Sequence, residues 1–291
     1  MERVRREKEA YKVSLSRLCR IFGKTRQAYY EHQRSLGYKR QRERAVVAAV
    51  KRYRQELPQC GGKKLYAALS SKLHEQGYKI GRDRFLGILR ANHLQVERRK
   101  RYFPTTTYSN HTYAVQPNLL RGFRETEPEQ VVVADLTYLR LKDDFAYLFL
   151  LTDKYSRKIL GHHVSKDMKA IGAIQALREA KSNVRSFKGM IHHSDRGSQY
   201  CCHEFLKELE SHGMRSSMTD ENHCAQNALA ERMNGILKRE FYLDLQFPSL
   251  PSLRKAVRDA INTYNNKRLH WSLKLQTPSQ VHSQLIGQLA A

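Results

Sequence analysis

The sequence predicts an α/β core with a mixed five-stranded sheet, preceded by an all-α region. Three observations carry this. From 130 to 164, three apolar, β-rich runs follow one another across short turns, and beyond them such runs alternate with helical periods. Before 95 the apolar residues recur at helical spacing alone. The charge divides along the same line. Residues 1–110 hold 28 Lys+Arg against 9 Asp+Glu, and the other 181 residues hold 25 against 19, within a formal net charge of +25 over 291 residues.

In chain order, residues 1–36 form the first unit. Leu15, Leu18 and Phe22 lie at helical spacing, Gly23 breaks the chain, and Thr25 caps a second helix through Arg26-Gln27-Ala28-Tyr29-Tyr30. This is a helix-turn-helix pattern, which many helical hairpins share. Residues 37–95 form a second unit of three helices, at 41–58, 63–76 and 81–92. Their inward stripes are Val46, Val47, Val50 and Tyr53, then Leu65, Leu69 and Leu73, then Phe85, Ile88 and Leu89. Arg82 and Arg84 suit a second DNA-reading unit, and a generic three-helix bundle with solvated charges reads equally well. Residues 96–126 are a basic linker opening with Arg98-Arg99-Lys100-Arg101, either a track for DNA or an exposed tether.

The core occupies 127–285 and includes a C-terminal helix. Strands are expected at 131–141, 145–153, 158–164, 188–193 and 215–218, and helices at 168–182, 198–212, 226–242 and 251–267. Three antiparallel strands followed by strands alternating with helices is the order of an RNase H-like fold. In that order the first and fourth strands are neighbours.

The positive N-terminal part points to the phosphate backbone of nucleic acid. No apolar run approaches the ~20 residues of a membrane span, and no signal peptide opens the chain. Five cysteines form no disulfide framework, which suits reduced thiols and a cytoplasmic location. Cys201-Cys202-His203 and His223-Cys224 lack the spacing of structural zinc sites and read better as partly buried helix residues.

Chemistry is carried by acids. Asp135 follows the apolar run Val131-Val132-Val133-Ala134, Asp195 closes a second run, and Glu231 sits on a helix. Activating one oxygen and stabilising another, as phosphodiester cutting and joining require, is work for two divalent ions on converging carboxylates. Mg²⁺ prefers such oxygen ligands. On the Glu231 helix, Leu229, Met233, Ile236 and Leu237 make the core face. Asn227, Glu231, Asn234 and Lys238 make one polar stripe, facing either the metals and a DNA phosphate or simply water. Alone, Asp135 is also a strand-end acid for an arginine, and Asp195 a cap for the turn at 195–198. Asp153 reads as structural, opening the turn Asp153-Lys154-Tyr155-Ser156-Arg157. Asp143 and Asp144 belong to a hairpin, and Asp220-Glu221 flank the site.

Five blocks together resemble one family. They are Ala134-Asp135-Leu136-Thr137-Tyr138, residues 153–158, His192-His193-Ser194-Asp195-Arg196-Gly197-Ser198-Gln199-Tyr200, Asn227-Ala228-Leu229-Ala230-Glu231, and Tyr264-Asn265-Asn266-Lys267-Arg268-Leu269-His270. The family is the DDE transposases of bacterial insertion sequences encoded as OrfA and OrfB, relatives of retroviral integrases. This chain resembles the OrfB half. The resemblance implies Asp135, Asp195 and Glu231 as catalytic metal ligands for Mg²⁺ or Mn²⁺, 3′-end nicking, and attack by the freed 3′-OH. It implies double-stranded element ends and target DNA as partners, and a homo-oligomer on DNA. Arg26, Arg82, Arg84, Arg98, Arg99, Lys100, Arg101 and Lys238 are the candidate DNA contacts. Three positions depart from the family: Val132 replaces a usual Trp, Gln226 a usual Asp, and Leu269 a usual Pro. An OrfA segment, as fusion or partner, is expected to supply a leucine zipper. Met1 leads straight into the charged stretch 2–8, and no run keeps a heptad pattern. The alternatives are a DNA-binding regulator that no longer cuts, and an RNase H-type nuclease that does not join.

Overall fold

The computed structural model describes residues 14–96, 113–220 and 224–289. They fall into two compact units: 14–55 with 61–96, and 56–60 with everything described from 113 onward.

In the first unit, Ser14 caps α1 (Leu15–Ile21) by accepting from the Arg17 N–H. Gly23, at φ +57°, takes the left-handed conformation that turns the chain. The Thr25 hydroxyl then accepts from the Ala28 N–H and opens α2 (Arg26–Arg54). Leu18, Cys19 and Tyr29 pack together in this hairpin. The helices expected separately at 26–34 and 41–58 are one helix of 29 residues. Gly37 costs about 1 kcal/mol inside a helix, too little to break one flanked by Arg, Lys, Gln and Glu. The helix stops at Arg54, short of Pro58. Helices α3 (Gly62–Glu75) and α4 (Arg82–Ala91) bury the expected Leu65, Leu69, Leu73, Phe85, Ile88 and Leu89, as α2 buries Val46 and Val50. Each such side chain contributes roughly 1.5–3 kcal/mol.

The second unit is built on one sheet. Strands β1 (Val131–Leu141), β2 (Phe145–Asp153) and β3 (Ile159–Ser165) are antiparallel, and β4 (Ile191–Ser194) and β5 (Arg215–Met218) run parallel to β1, in the order β3-β2-β1-β4-β5. A two-residue strand, β6 (Gln246–Phe247), pairs the far end of β1 and was not expected. This is the RNase H-like order. Helices α5 (Ala170–Ala180), α6 (Ser198–Cys201) and α7 (His203–Ser211) carry one core, with Val132, Ala134, Leu136, Phe149, Tyr200 and Phe205. Helices α8 (Ala228–Glu240) and α9 (Leu250–Lys267) carry the other, with Leu139, Leu148, Leu150, Met233, Ile236 and Tyr264. A last helix, α10, spans Pro278–Leu289.

The single helix expected at 198–212 is two, broken at an extended Cys202 (φ −69°, ψ 152°). The break lets Tyr200, Cys201, Phe205 and Leu209 all enter the same core. The end of the expected linker lies along β5: Pro117 C=O accepts from the Met218 N–H, and the Leu119 N–H donates to Ser217 Oγ (2.9 Å).

Candidate active site

The sheet brings two of the three acids together. In the parallel pairing of β1 with β4, Val131 faces Ile191 and Val133 faces His193. Carrying that register two residues further sets Asp135 level with Asp195, just beyond the last residue of β4. Both carboxylates are half-buried. The Gly197 N–H donates to Asp195 Oδ1 (3.1 Å), which fixes the turn after the strand.

The third acid comes from α8, whose core face is the one expected. Three members of the polar stripe of this helix, Asn227, Asn234 and Lys238, turn to β1 rather than to water, and Glu231 stays exposed. Asn227 Nδ2 donates to the Ala134 carbonyl (3.0 Å), and Asn234 Nδ2 donates to Asp135 Oδ2 (2.8 Å). Lys238 Nζ stands 4.2 Å from the centroid of the Tyr138 ring. A seam of polar contacts therefore holds the helix along β1, with Glu231 in its first turn at the exposed edge.

The acids repel one another. Asp135 is pushed up to about 7, first by burial and then by the Asp195 charge, against the hydrogen bond from Asn234; Glu231 adds a further push. Glu231 is itself raised, by desolvation and then by Asp195. Burial draws Lys238 down to about 8, while Asp135 and Asp244 pull it back. Asn234 Oδ1 is buried without a hydrogen-bond partner among the described residues. Carboxylates that repel one another offer hard oxygen ligands, which fit a divalent cation. Among the described residues, no three His, Cys, Asp or Glu side chains already converge on one point closely enough to hold an ion.

Two outcomes follow. Asp135 titrates near 3.8 when unfolded and near 7 when folded, so its contribution to stability is present at low pH and is lost as pH rises toward 7. In metal-free buffer, Asp135→Asn should raise stability at pH 8 by about 1–2 kcal/mol after allowance for solvent screening, and change little at pH 4. Thermal melts at both pH values check this, and equal shifts at the two would refute the coupling. Lys238→Ala should cost about 1 kcal/mol through the lost ring contact. It should also lower the log–log salt slope of DNA binding by about one. A slope equal to that of the wild type would leave Lys238 with the ring contact alone.

The other residues fall as follows. Asp153 is fully buried and accepts from the Ser156 N–H, the Ser156 hydroxyl and the Glu129 N–H, the structural turn read from the sequence. Cys201 and Cys202 are buried free thiols, and burial pushes Cys201 up to about 11. Arg26, Arg82 and Arg84 are exposed on the first unit, and Arg82 pairs with Asp83 (3.0 Å). Arg98, Arg99, Lys100 and Arg101 lie outside the described residues. Sequence reasoning gave no partners to Asn227 and Asn234. Their spacing from Glu231 was the available signal, but their partners on β1 lie 93 and 99 residues away.

A mixed sheet in this order, with one acid inside its first strand, a second level with it just past the neighbouring parallel strand, and a third on a helix laid along the first, defines the class of RNase H-like nucleic-acid-processing enzymes. The integrase core domain family matches residues 125–224, and a second integrase core domain family matches 212–278. The insertion element IS600 31 kDa protein of Shigella sonnei is 32% identical over 269 residues, covering 90% of this chain and 96% of its own. Transposase InsF of insertion sequence IS3A from Escherichia coli K12 is 30% identical over 275 residues, covering 91% and 92%. Among solved structures, the HTLV-2 integrase catalytic core in complex with magnesium is 23% identical, with a TM-score of 0.44, over 55% of this chain and 99% of its own. The chain belongs to the insertion-sequence transposases of the IS3, or OrfB, type. It is a DNA transposase with an integrase core.

Proposed function

We propose that Asp135, Asp195 and Glu231 hold two divalent cations, Mg²⁺ or Mn²⁺, for nicking the 3′ ends of an insertion sequence and joining them to a target. Bound there, the cations would activate the attacking oxygen and neutralise the leaving one. The chain's own part is positional. Strands β1 and β4 fix Asp135 and Asp195 side by side, Asn234 orients the Asp135 carboxylate, and Lys238 lies a helix turn further on, where a phosphate of the cleaved end can reach it. The observation that supports this reading is the seam between α8 and β1, which holds the helix bearing Glu231 along the strand bearing Asp135. The test is incubation of the chain with labelled element ends, target DNA and Mg²⁺. Nicked and joined products, both lost with a chelator, are expected. Nicking without joining would favour a nuclease, and binding without either a regulator.

The proposal also assigns DNA grip to the basic helical part, units 1–36 and 37–95, with the linker 96–126 leading to the core. Arg26, Arg82 and Arg84 serve there, with Arg98, Arg99, Lys100 and Arg101 in the linker. Arg40, Arg44 and Lys51 add an exposed row along one face of α2, and they form no ion pair among the described residues. A fragment of residues 1–110 should bind duplex DNA with an affinity that falls steeply with salt, each phosphate contact steepening the log–log slope by about 0.9. Arg40→Ala/Arg44→Ala/Lys51→Ala should flatten it. Equal binding by a fragment of 125–291 would overturn this assignment. The transposase acts in this reading as a homo-oligomer on DNA in the bacterial cytoplasm. The chain alone recognises and pairs the ends poorly, and an OrfA segment, as fusion or partner, makes both efficient; native gels comparing paired-end complexes of the chain and of the fusion would test this.

A further inference from the structure

Gln226 stands where the family's usual residue is Asp, and its surroundings give that change a purpose. Its Oε1 accepts from the Asp220 N–H (2.7 Å) and from Asn118 Nδ2 (2.9 Å), and its Nε2 donates to Asp220 Oδ2 (2.8 Å). The same Asp220 oxygen receives Arg121 (2.8 Å) and Asn118 (3.3 Å). One carboxylate, one guanidinium and two amides thus close a charge-neutral cluster. An Asp at 226 would set a second carboxylate against Asp220 and could not donate to it.

The cluster is tied to both sides of the site. Thr219 N–H donates to the Ser194 carbonyl (3.0 Å), and Arg196 Nε donates to the Thr219 carbonyl (2.9 Å), so the residues on either side of Asp195 are bonded to the residue before Asp220. Ser217 Oγ bonds both the Leu119 N–H and His193 Nδ1, each at 2.9 Å. On the other side, Gln226 leads directly into Asn227, which is bonded to Ala134, and then into α8.

Resting on the transposase reading above, we propose that Asn118, Arg121, Asp220 and Gln226 form a clasp of positioning residues. It pins the segment before β1 to the start of α8 and so fixes Glu231 relative to Asp135 and Asp195. None of the four touches the reacting atoms. Their work is to hold the beginning of a helix whose first turn carries a metal ligand, where a displacement of about 1 Å can cost on the order of a hundredfold in rate.

The experiment is an isosteric charge exchange in the full chain. Gln226→Glu places two carboxylates together, Asp220→Asn removes the partner of Arg121, and Asp220→Asn/Gln226→Glu restores one carboxylate facing one amide. The readouts are joining rate at saturating DNA, DNA affinity, melting temperature and amide hydrogen exchange over 226–236. Each single variant should join about ten- to a hundredfold more slowly with unchanged DNA affinity, and should exchange faster at the start of α8. The double variant should recover both. Gln226→Ala, which adds no charge, should also exchange faster there. Wild-type rate and exchange in the single variants would overturn the clasp. So would a double variant no better than either single one, or a rate loss matched by an equal loss of folded protein. If neither the wild-type chain nor its OrfA fusion joins DNA, the transposase mechanism fails, and the exchange measurements still decide the clasp.

Discussion

Asp135→Asn, Asp195→Asn and Glu231→Gln should each reduce strand cleavage by about 10³-fold or more while leaving DNA affinity intact. Each change keeps side-chain size and removes one charge from the proposed metal site. The loss of several kcal/mol of transition-state stabilisation corresponds to at least three decades in rate. The three differ in one respect. Asp135 is half-buried and bonded to Asn234, so its amide variant keeps the local geometry. Glu231 stands in the first turn of α8 at the exposed edge, so Glu231→Gln perturbs nothing but charge. Single-turnover cleavage of labelled ends, with binding measured in Ca²⁺ or chelator, separates the two effects. Normal cleavage by any one variant would remove that residue from the site.

Arg268→Ala should be the most damaging change away from the acids. Arg268 reaches Glu240 through two nitrogens, Nε at 2.7 Å and Nη2 at 2.6 Å, and its Nη1 lies 2.8 Å from His270 Nε2. Its side chain is only 6% exposed. Removing the buried arginine leaves a Glu240 carboxylate that is 25% exposed, so the cost is about 2–3 kcal/mol, below that of a fully buried pair. Here that would release the end of α9 from the end of α8. Denaturant melts should show the loss, and Arg268→Lys should recover only part of it, since an ammonium cannot make the forked contact. A loss under about 1 kcal/mol would mean that water replaces the guanidinium at this site.

The strands were legible because their signals are local. Apolar runs bounded by charged turns gave β1 and β2 to the residue, and the short strand β5 was also read with its exact bounds. The core face of α8 was legible for the same reason. Its polar stripe was not. Asn227 and Asn234 have the composition of a solvent face, and nothing near them in sequence announces that β1 will offer a carbonyl and a carboxylate. The block at 264–270 shows the same limit. It marked the family, but its physical work depends on distant partners: the Tyr264 hydroxyl donates to the Arg157 carbonyl, and the Asn265 side chain bonds both the N–H and the C=O of Ile159. The clasp was hidden too, since residues 113–121 carry no periodicity and their partners lie about a hundred positions on.

The order in which the acids come off the ribosome has a consequence of its own. Asp135 and Asp195 can pair as soon as β1 and β4 exist, but Glu231 is fixed only when α8 has docked, and α8 is secured through Glu240 by Arg268. At about 5–20 residues per second, several seconds of synthesis separate the second acid from that arginine. Throughout that interval the nascent chain carries the proposed DNA-gripping part but not the secured third acid. If the three acids act as proposed, cutting must wait until the chain has been made at least as far as Arg268.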